Sequence, residues 1–120
     1  MRLNLGVGDK PLSGYIGVDL LKTPHTDIQA DVSKLDFAKD GTIEALAAHD
    51  IIEHFPREKT LPVLKEWLRV LQSGGVCIVK TPNMKTICER FVRGEIDARE
   101  CSRLLYANQS GPYDFHMAGF

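Results

Sequence analysis

Residues 3–9, LNLGVGD, join a short apolar run to two glycines. A run from Arg2 to Leu5 that is followed at once by Gly6 and Gly8 is typical of a buried strand that enters a tight turn. Glycine at both positions lets the backbone approach a ligand without an intervening side chain. Gly-x-Gly pairs also occur in plain turns, so this motif indicates a ligand site only together with the segments that follow.

Two further short runs each carry an acid at their end. Residues 15–20 (YIGVDL) favour a second strand that ends on Asp19, and residues 28–32 (IQADV) favour a third with Asp31 at its end. Ligands of open α/β sheets bind at the carboxyl ends of the strands, so we expect both carboxylates beside the glycine turn. Asp19 can there accept two hydrogen bonds from a ribose diol. The alternative for each acid is a role in a turn or a helix cap.

The remaining pattern alternates strands with helices. Residues 43–49 (IEALAAH) are ambiguous between helix and strand, and we favour a short buried strand. Ser73-Gly74-Gly75 is expected to end the amphipathic helix that precedes it. A loop is expected from residue 108 to the end of the chain. The elements predicted after the third strand are a strand over residues 43–49, a helix over 57–72, a strand over 76–81 and helices over 84–92 and about 96–106.

These elements predict an α/β fold with a mainly parallel, right-handed sheet in a single domain over residues 1–120. Apolar residues make up 43% of the chain and charged residues 26%, as in ordinary folded proteins. The net charge is −1 with no long block of either sign, which argues against nucleic acid or an anionic membrane as a partner. No signal peptide or membrane span is recognisable, so the cytoplasm is the expected compartment.

The cysteines indicate free thiols in a reducing compartment. Cys77, Cys88 and Cys101 are odd in number and lack CxxC spacing. A zinc site built from these cysteines with His49 and His54 has no recognisable ligand spacing, so no metal site is expected.

The glycine turn does not match the common nucleotide-binding motifs. Pro11 stands where a dinucleotide-binding GxGxxG motif has its third glycine, and Asp19 follows Gly8 by only eleven residues, whereas that motif places its acid about 20 residues on. The chain also lacks the GxxxxGK[ST] loop of nucleoside triphosphate sites. A nicotinamide or nucleotide-binding module is therefore disfavoured.

Five segments in order resemble the class I S-adenosylmethionine-dependent methyltransferases. The nearest likeness is to the branch of predicted small-molecule methyltransferases related to the ubiquinone-pathway enzymes, dense over residues 3–83 and loose over 104–120. It implies a Rossmann-like, doubly wound sheet, S-adenosylmethionine as cofactor and methyl transfer to a small-molecule acceptor. The segments are LNLGVGD (3–9), GYIGVDL (14–20), ADVSKLDF (30–37), AHDIIEHF (48–55) and VLQSGGVCIVKTPN (70–83).

For the adenosine part of the cofactor, the resemblance implies four contacts. Asp19 would hold the ribose hydroxyls, and Leu20 would pack on the adenine face. Asp31 would accept from the adenine amino group, and the Val32 amide would meet a ring nitrogen.

For the methionine part, the resemblance implies contacts from two strand ends. Gly6 and Gly8 would pass under the methionine, with Asn4 or backbone groups nearby. His49 and Asp50, just beyond the fourth strand, would lie near the sulfonium and the transferred methyl. The alternative for His49 is a buried, hydrogen-bonded histidine.

Three side chains are candidates for a general base that takes a proton from the acceptor: Glu53, His54 and His116. Imidazole accepts protons near neutral pH, which favours the histidines. Glu53 and His54 precede a helix, where capping explains them equally well, and we favour a structural role for Glu53. His116, with Tyr113 and Phe115, would line the acceptor pocket, the alternative being a solvated tail.

The chain departs from the family pattern in two places. The link from Gly8 to Asp19 is too short for a full crossover helix, and Lys10 replaces a third glycine that many relatives have. Relatives also continue past the point that matches Phe120 with another helix and two further strands. We therefore expect a five-stranded sheet, truncated relative to the seven-stranded family fold.

Such a sheet would leave the fifth strand as an open edge. Its β-branched residues would be a pairing hazard, so we expect a homo-oligomer that covers this edge. The alternative function is a catalytically silent S-adenosylmethionine-binding or interaction module. The residues in question are Val76, Ile78 and Val79.

Overall fold

The computed structural model describes residues 1–120 and contains five strands and three α-helices. Two short 3-10 helices, Ile52–His54 and Arg57–Lys59, precede the first α-helix. No helix combines the length and apolar character needed to cross a membrane. In chain order the elements are β1 (Arg2–Leu5), β2 (Ile16–Asp19), β3 (Ile28–Gln29), β4 (Ile43–His49), α1 (Thr60–Val70), β5 (Leu71–Lys80), α2 (Met84–Val92) and α3 (Ala98–Tyr106).

The five strands form one parallel sheet in the order β3-β2-β1-β4-β5. Leu3 of β1 pairs with Ile16 on one side and with Leu46 on the other, so β1 lies at the centre. The chain runs outward from β1 through β2 and β3, then returns to the opposite side of β1 with β4. This reversal creates the crevice at which such sheets bind ligands. The prediction of a Rossmann-like α/β sheet is confirmed.

The bounds of β3 and β5 differ clearly from the sequence prediction. β3 covers only residues 28–29 because the Asp31 carboxylate accepts a hydrogen bond from the Ser33 amide at 2.8 Å and turns the chain. β5 starts at Leu71, so the prediction that Ser73-Gly74-Gly75 ends the preceding helix is wrong. Leu71 pairs with Ile43, and an irregularity in the register after this pair lets residues 72–75 stay with the strand.

Helix α1 covers one face of the sheet and also holds the segment that follows β3. Val63, Trp67 and Val70 are buried against the central strands. The Trp67 Nε1–H donates to the Val32 carbonyl at 2.8 Å, and the Glu66 carboxylate accepts from the Leu35 amide at 2.8 Å. The neighbouring Arg69 guanidinium, hydrogen-bonded to Glu66, lowers the pKa of that carboxyl. Burial and hydrogen bonds therefore fix the residues just beyond β3.

The terminal segment 107–120 has no helix or strand but is attached to the sheet end. The amides of Met117 and Ala118 donate to the Glu53 carbonyl at 2.7 and 3.1 Å, and the Met84 amide donates to the Phe120 carbonyl at 2.8 Å. The side chain of His116 is only 12% exposed. The alternative of a solvated tail is therefore wrong.

Candidate functional site

A cavity of about 510 Å³ lies at the carboxyl ends of the strands. Residues that follow β1, β2, β3 and β4 form one wall, and the terminal segment forms the other. The cavity is large enough for a ligand of cofactor size, since such sites span about 300–1,000 Å³. Seven residues predicted from the sequence lie on its wall: Gly6, Asp19, Leu20, Asp31, Val32, His54 and Tyr113.

The turn after β1 brings bare backbone to the cavity. Gly6 adopts φ +67°, a conformation that favours glycine, and a Cβ atom there would lie 2.8 Å from Ile51 Cδ1. Gly8 also has a positive φ, of +48°. Residues 6–15 contain no helix, as expected from the short link to β2. The turn therefore offers close approach without the helix N-terminus on which pyrophosphate groups bind.

Asp19 is fixed by its own backbone surroundings. Its Oδ2 accepts from the Gly8 amide at 2.9 Å, and its Oδ1 accepts from the Leu21 amide at 2.8 Å. A carboxylate has about four lone-pair sites, so each oxygen can accept a further hydrogen bond from a ligand. Asp19 can therefore hold the turn through its contacts to the backbone and bind a ligand at the same time.

Asp31 and Val32 present an acceptor and a donor side by side. Ser33 occupies only Oδ1 of Asp31, through its amide at 2.8 Å and its hydroxyl at 2.7 Å. The Val32 carbonyl is held by Trp67, but the Val32 amide donates to no protein acceptor. The free Asp31 oxygen and the free Val32 amide can therefore both serve a ligand.

Several predicted residues lie outside the cavity wall. The expected position of Asn4 beside the ligand is corrected: it is 4% exposed, and its Nδ2 donates to the Lys10 carbonyl at 2.9 Å. It therefore braces the glycine turn from within. The Asp50 carboxylate faces the Lys10 ammonium at 3.6 Å. Gly8, His49, Asp50 and His116 likewise do not line the cavity.

Sequence reasoning missed most of the second wall, which residues 110–114 form. Here the Asp114 carboxylate accepts from the Ser110 amide at 3.0 Å and from its hydroxyl at 2.6 Å. These hydrogen bonds hold the pKa of Asp114 below its usual value, with a smaller contribution from the charges of nearby histidines. Tyr113 lies on this wall as expected, but Phe115 does not. The Ser-Gly-Pro composition marks a turn, and nothing local shows what that turn packs against.

The cavity wall is acidic. Asp19, Asp31 and Asp114 line it, and no lysine or arginine does. The rest of the wall is largely apolar and includes Leu21 and Phe55. Carboxylates around a partly enclosed cavity attract cations and repel anions. The site therefore suits a ligand with positive charge and disfavours one that carries phosphates.

Comparisons with known proteins agree with this architecture. The chain is similar in fold to the PH0226 protein from Pyrococcus horikoshii OT3, with a TM-score of 0.62 and 24% sequence identity. The match covers 80% of this chain and 54% of that one, so this chain spans about half the length of that protein. No curated protein matches the sequence. The family model described as a methyltransferase domain matches residues 14–79, more than half of the chain. The chain therefore belongs to the methyltransferase domain family.

Proposed function

We propose that this chain binds S-adenosylmethionine in the acidic cavity and transfers its methyl group to a small-molecule acceptor. The observation that carries the proposal is the set of three cavity carboxylates, Asp19, Asp31 and Asp114, on a wall without lysine or arginine. S-adenosylmethionine has a sulfonium and an ammonium cation and no phosphate. Dinucleotides and nucleoside triphosphates carry phosphates, which need cationic side chains or a helix N-terminus. Neither is present on this wall.

The adenosine part fits the ends of β2 and β3. Asp19, already oriented by two amides, would accept from the ribose hydroxyls. The free oxygen of Asp31 would accept from the adenine amino group, and the unpaired Val32 amide would donate to a ring nitrogen. Leu20 and Leu21 are 44% and 51% exposed and offer apolar surface for the adenine ring. The polar groups and apolar surface of adenosine thus each have a counterpart.

The methionine part would lie along Gly6, where the absent side chain leaves room next to Ile51. Asp114 contributes a negative charge from the opposite wall of the cavity. When bound, the cofactor supplies an electrophilic methyl group on its sulfonium. The protein's contribution is to orient the acceptor and to limit the access of water.

We further propose that residues 1–120 act as one cofactor-binding domain and that the chain belongs to the branch of small-molecule methyltransferases related to the ubiquinone-pathway enzymes. The sequence resemblance over residues 3–83 supports this assignment. The charge distribution also favours a small acceptor, because no run of lysine and arginine is present to bind a nucleic-acid backbone.

An enzyme and a silent binding module must both bind S-adenosylmethionine, and isothermal titration calorimetry tests this binding. We expect S-adenosylmethionine and its demethylated product to bind with one-to-one stoichiometry, and NAD and ATP not to bind, because the acidic wall repels phosphates. Absence of binding by both adenosyl ligands would remove the proposal, and preferential binding of ATP would point to a nucleotide site. Turnover against a panel of acceptors then separates an enzyme from a catalytically silent binding module.

We also propose that a second copy of this chain covers β5. This strand is one edge of the sheet, and Val76, Ile78 and Val79 on it are 54%, 49% and 41% exposed. An uncovered edge of β-branched residues pairs readily with another strand. We therefore expect a dimer or larger oligomer in light scattering, and Ile78→Lys should shift it toward monomer. A wild-type chain that is monomeric at high concentration would contradict the proposal.

A further inference from the structure

A cluster of one carboxylate and two imidazoles lies where the 3-10 helix after β4 meets the terminal segment. One candidate ligand atom from each of Glu53, His54 and His116 lies within 4.8 Å of the other two. The His116 Nε2 and the Glu53 Oε1 are 3.9 Å apart, and the two imidazole rings meet edge to face at a centroid distance of 4.9 Å. Glu53 and His54 are adjacent in sequence, and the fold brings His116 of the terminal segment to them.

The Glu53 carboxylate is buried without a hydrogen-bond partner. The residue is 1% exposed, and neither of its side-chain oxygens has a donor within hydrogen-bonding distance. The capping role considered for Glu53 is therefore wrong, since no side chain caps the 3-10 helices or α1. A buried carboxylate without partners is costly, and buried charges are normally paired or bound to metal ions.

Both histidines are oriented by backbone carbonyls. The His54 Nδ1–H donates to the Tyr113 carbonyl at 3.0 Å, and the His116 Nδ1–H donates to the Leu105 carbonyl at 3.2 Å. A carbonyl can only accept, so each Nδ1 carries the proton, and the Nε2 of a neutral ring keeps its lone pair. Metal-binding histidines are held in this way, with one ring nitrogen on the metal and the other donating to a carbonyl or carboxylate.

We propose that Glu53, His54 and His116 bind one divalent first-row transition-metal ion of the zinc type. Two imidazoles and one carboxylate favour such ions over Mg²⁺, which prefers oxygen ligands. The ligand atoms of tetrahedral zinc lie about 3.4 Å apart, so side-chain shifts of about 1 Å would close the cluster.

This proposal is independent of cofactor binding and changes two sequence expectations. The expectation of no metal site considered His49, His54 and the cysteines, and not the pairing of Glu53 with His116. An ion held by this cluster would make His54 and His116 ligands instead of proton acceptors. His54 also lines the large cavity, so the ion would lie beside the proposed cofactor site.

Calorimetric titration of the EDTA-treated full chain with Zn²⁺, without cofactor, tests the proposal. We expect one ion per chain and binding at least 100-fold tighter than that of Mg²⁺. Glu53→Gln and His116→Gln should each weaken Zn²⁺ binding at least 10-fold because each removes a ligand. His25→Gln, which changes an exposed histidine outside the cluster, should leave it unchanged. Equal binding by all three variants would overturn the assignment.

Thermal unfolding with and without Zn²⁺ separates ligand loss from misfolding. Glu53→Gln keeps the shape of the side chain and removes a buried carboxyl group without a hydrogen-bond partner, so this variant should fold without metal at least as stably as the wild type. Its melting temperature should not respond to Zn²⁺, whereas that of the wild type should rise. A double variant, Cys77→Ser with Cys88→Ser, removes the exposed thiols and should keep the wild-type response. Loss of zinc binding in the cysteine variant, or none in the wild type, would overturn the proposal.

Discussion

Replacing Trp67 with alanine is expected to lower the free energy of unfolding by about 3–5 kcal/mol. The side chain is 1% exposed and belongs to the main core, so its removal leaves a large void between α1 and the sheet. It also leaves the Val32 carbonyl without the indole donor, which now lies at 2.8 Å. Urea unfolding followed by far-ultraviolet circular dichroism measures the loss.

Two matched variants separate the causes of this loss. Trp67→Phe retains most of the apolar bulk but leaves the Val32 carbonyl unpaired, which should cost about 1–3 kcal/mol. Leu68→Ala changes a 70% exposed position on the same helix and should stay within about 0.5 kcal/mol of the wild type. If Trp67→Ala cost no more than Leu68→Ala, α1 would not pack on the sheet as described.

The succession of strands and helices along the chain could be predicted because local patterns decide it. β1, β4 and α2 have the bounds that the apolar runs predict. Gly6 directly follows β1, and Pro82 lies just before α2. The start of β5 could not be predicted, because the pairing of Leu71 with Ile43 is a tertiary contact. In the sequence, Gly74 and Gly75 resemble the end of a helix. Pairing with β4 is what makes this part of the chain extended.

The candidate site likewise contains residues that could be predicted from the sequence and residues that could not. Asp19 and Asp31 were predictable because each follows an apolar run, and parallel strands place such ends at one edge of the sheet. Asp114 and the pairing of Glu53 with His116 were not predictable, since they depend on where a non-periodic terminal segment docks. Glu53 precedes a helix in sequence and resembles a capping residue until its burial is known.

Replacing Asp19 with alanine is expected to weaken S-adenosylmethionine binding by about 1.5–3 kcal/mol, or roughly 10- to 150-fold in Kd. The prediction rests on the proposed function. Two effects act together: the ribose hydroxyls lose a charged acceptor, and the amides of Gly8 and Leu21, now 2.9 and 2.8 Å from the carboxylate, lose theirs. Calorimetry with the cofactor and with its demethylated product measures the change.

Asp27→Ala is the matched control for this prediction. The Asp27 carboxylate also accepts from a glycine amide, that of Gly17 at 2.7 Å, but it does not line the cavity. Removing it should reduce stability while leaving the Kd of the folded protein within about twofold, an energy well under 1 kcal/mol. Equal losses of affinity in both variants would mean that Asp19 acts only by holding the fold. Unchanged affinity in Asp19→Ala would mean that the ribose hydroxyls do not bind the Asp19 carboxylate and lie elsewhere.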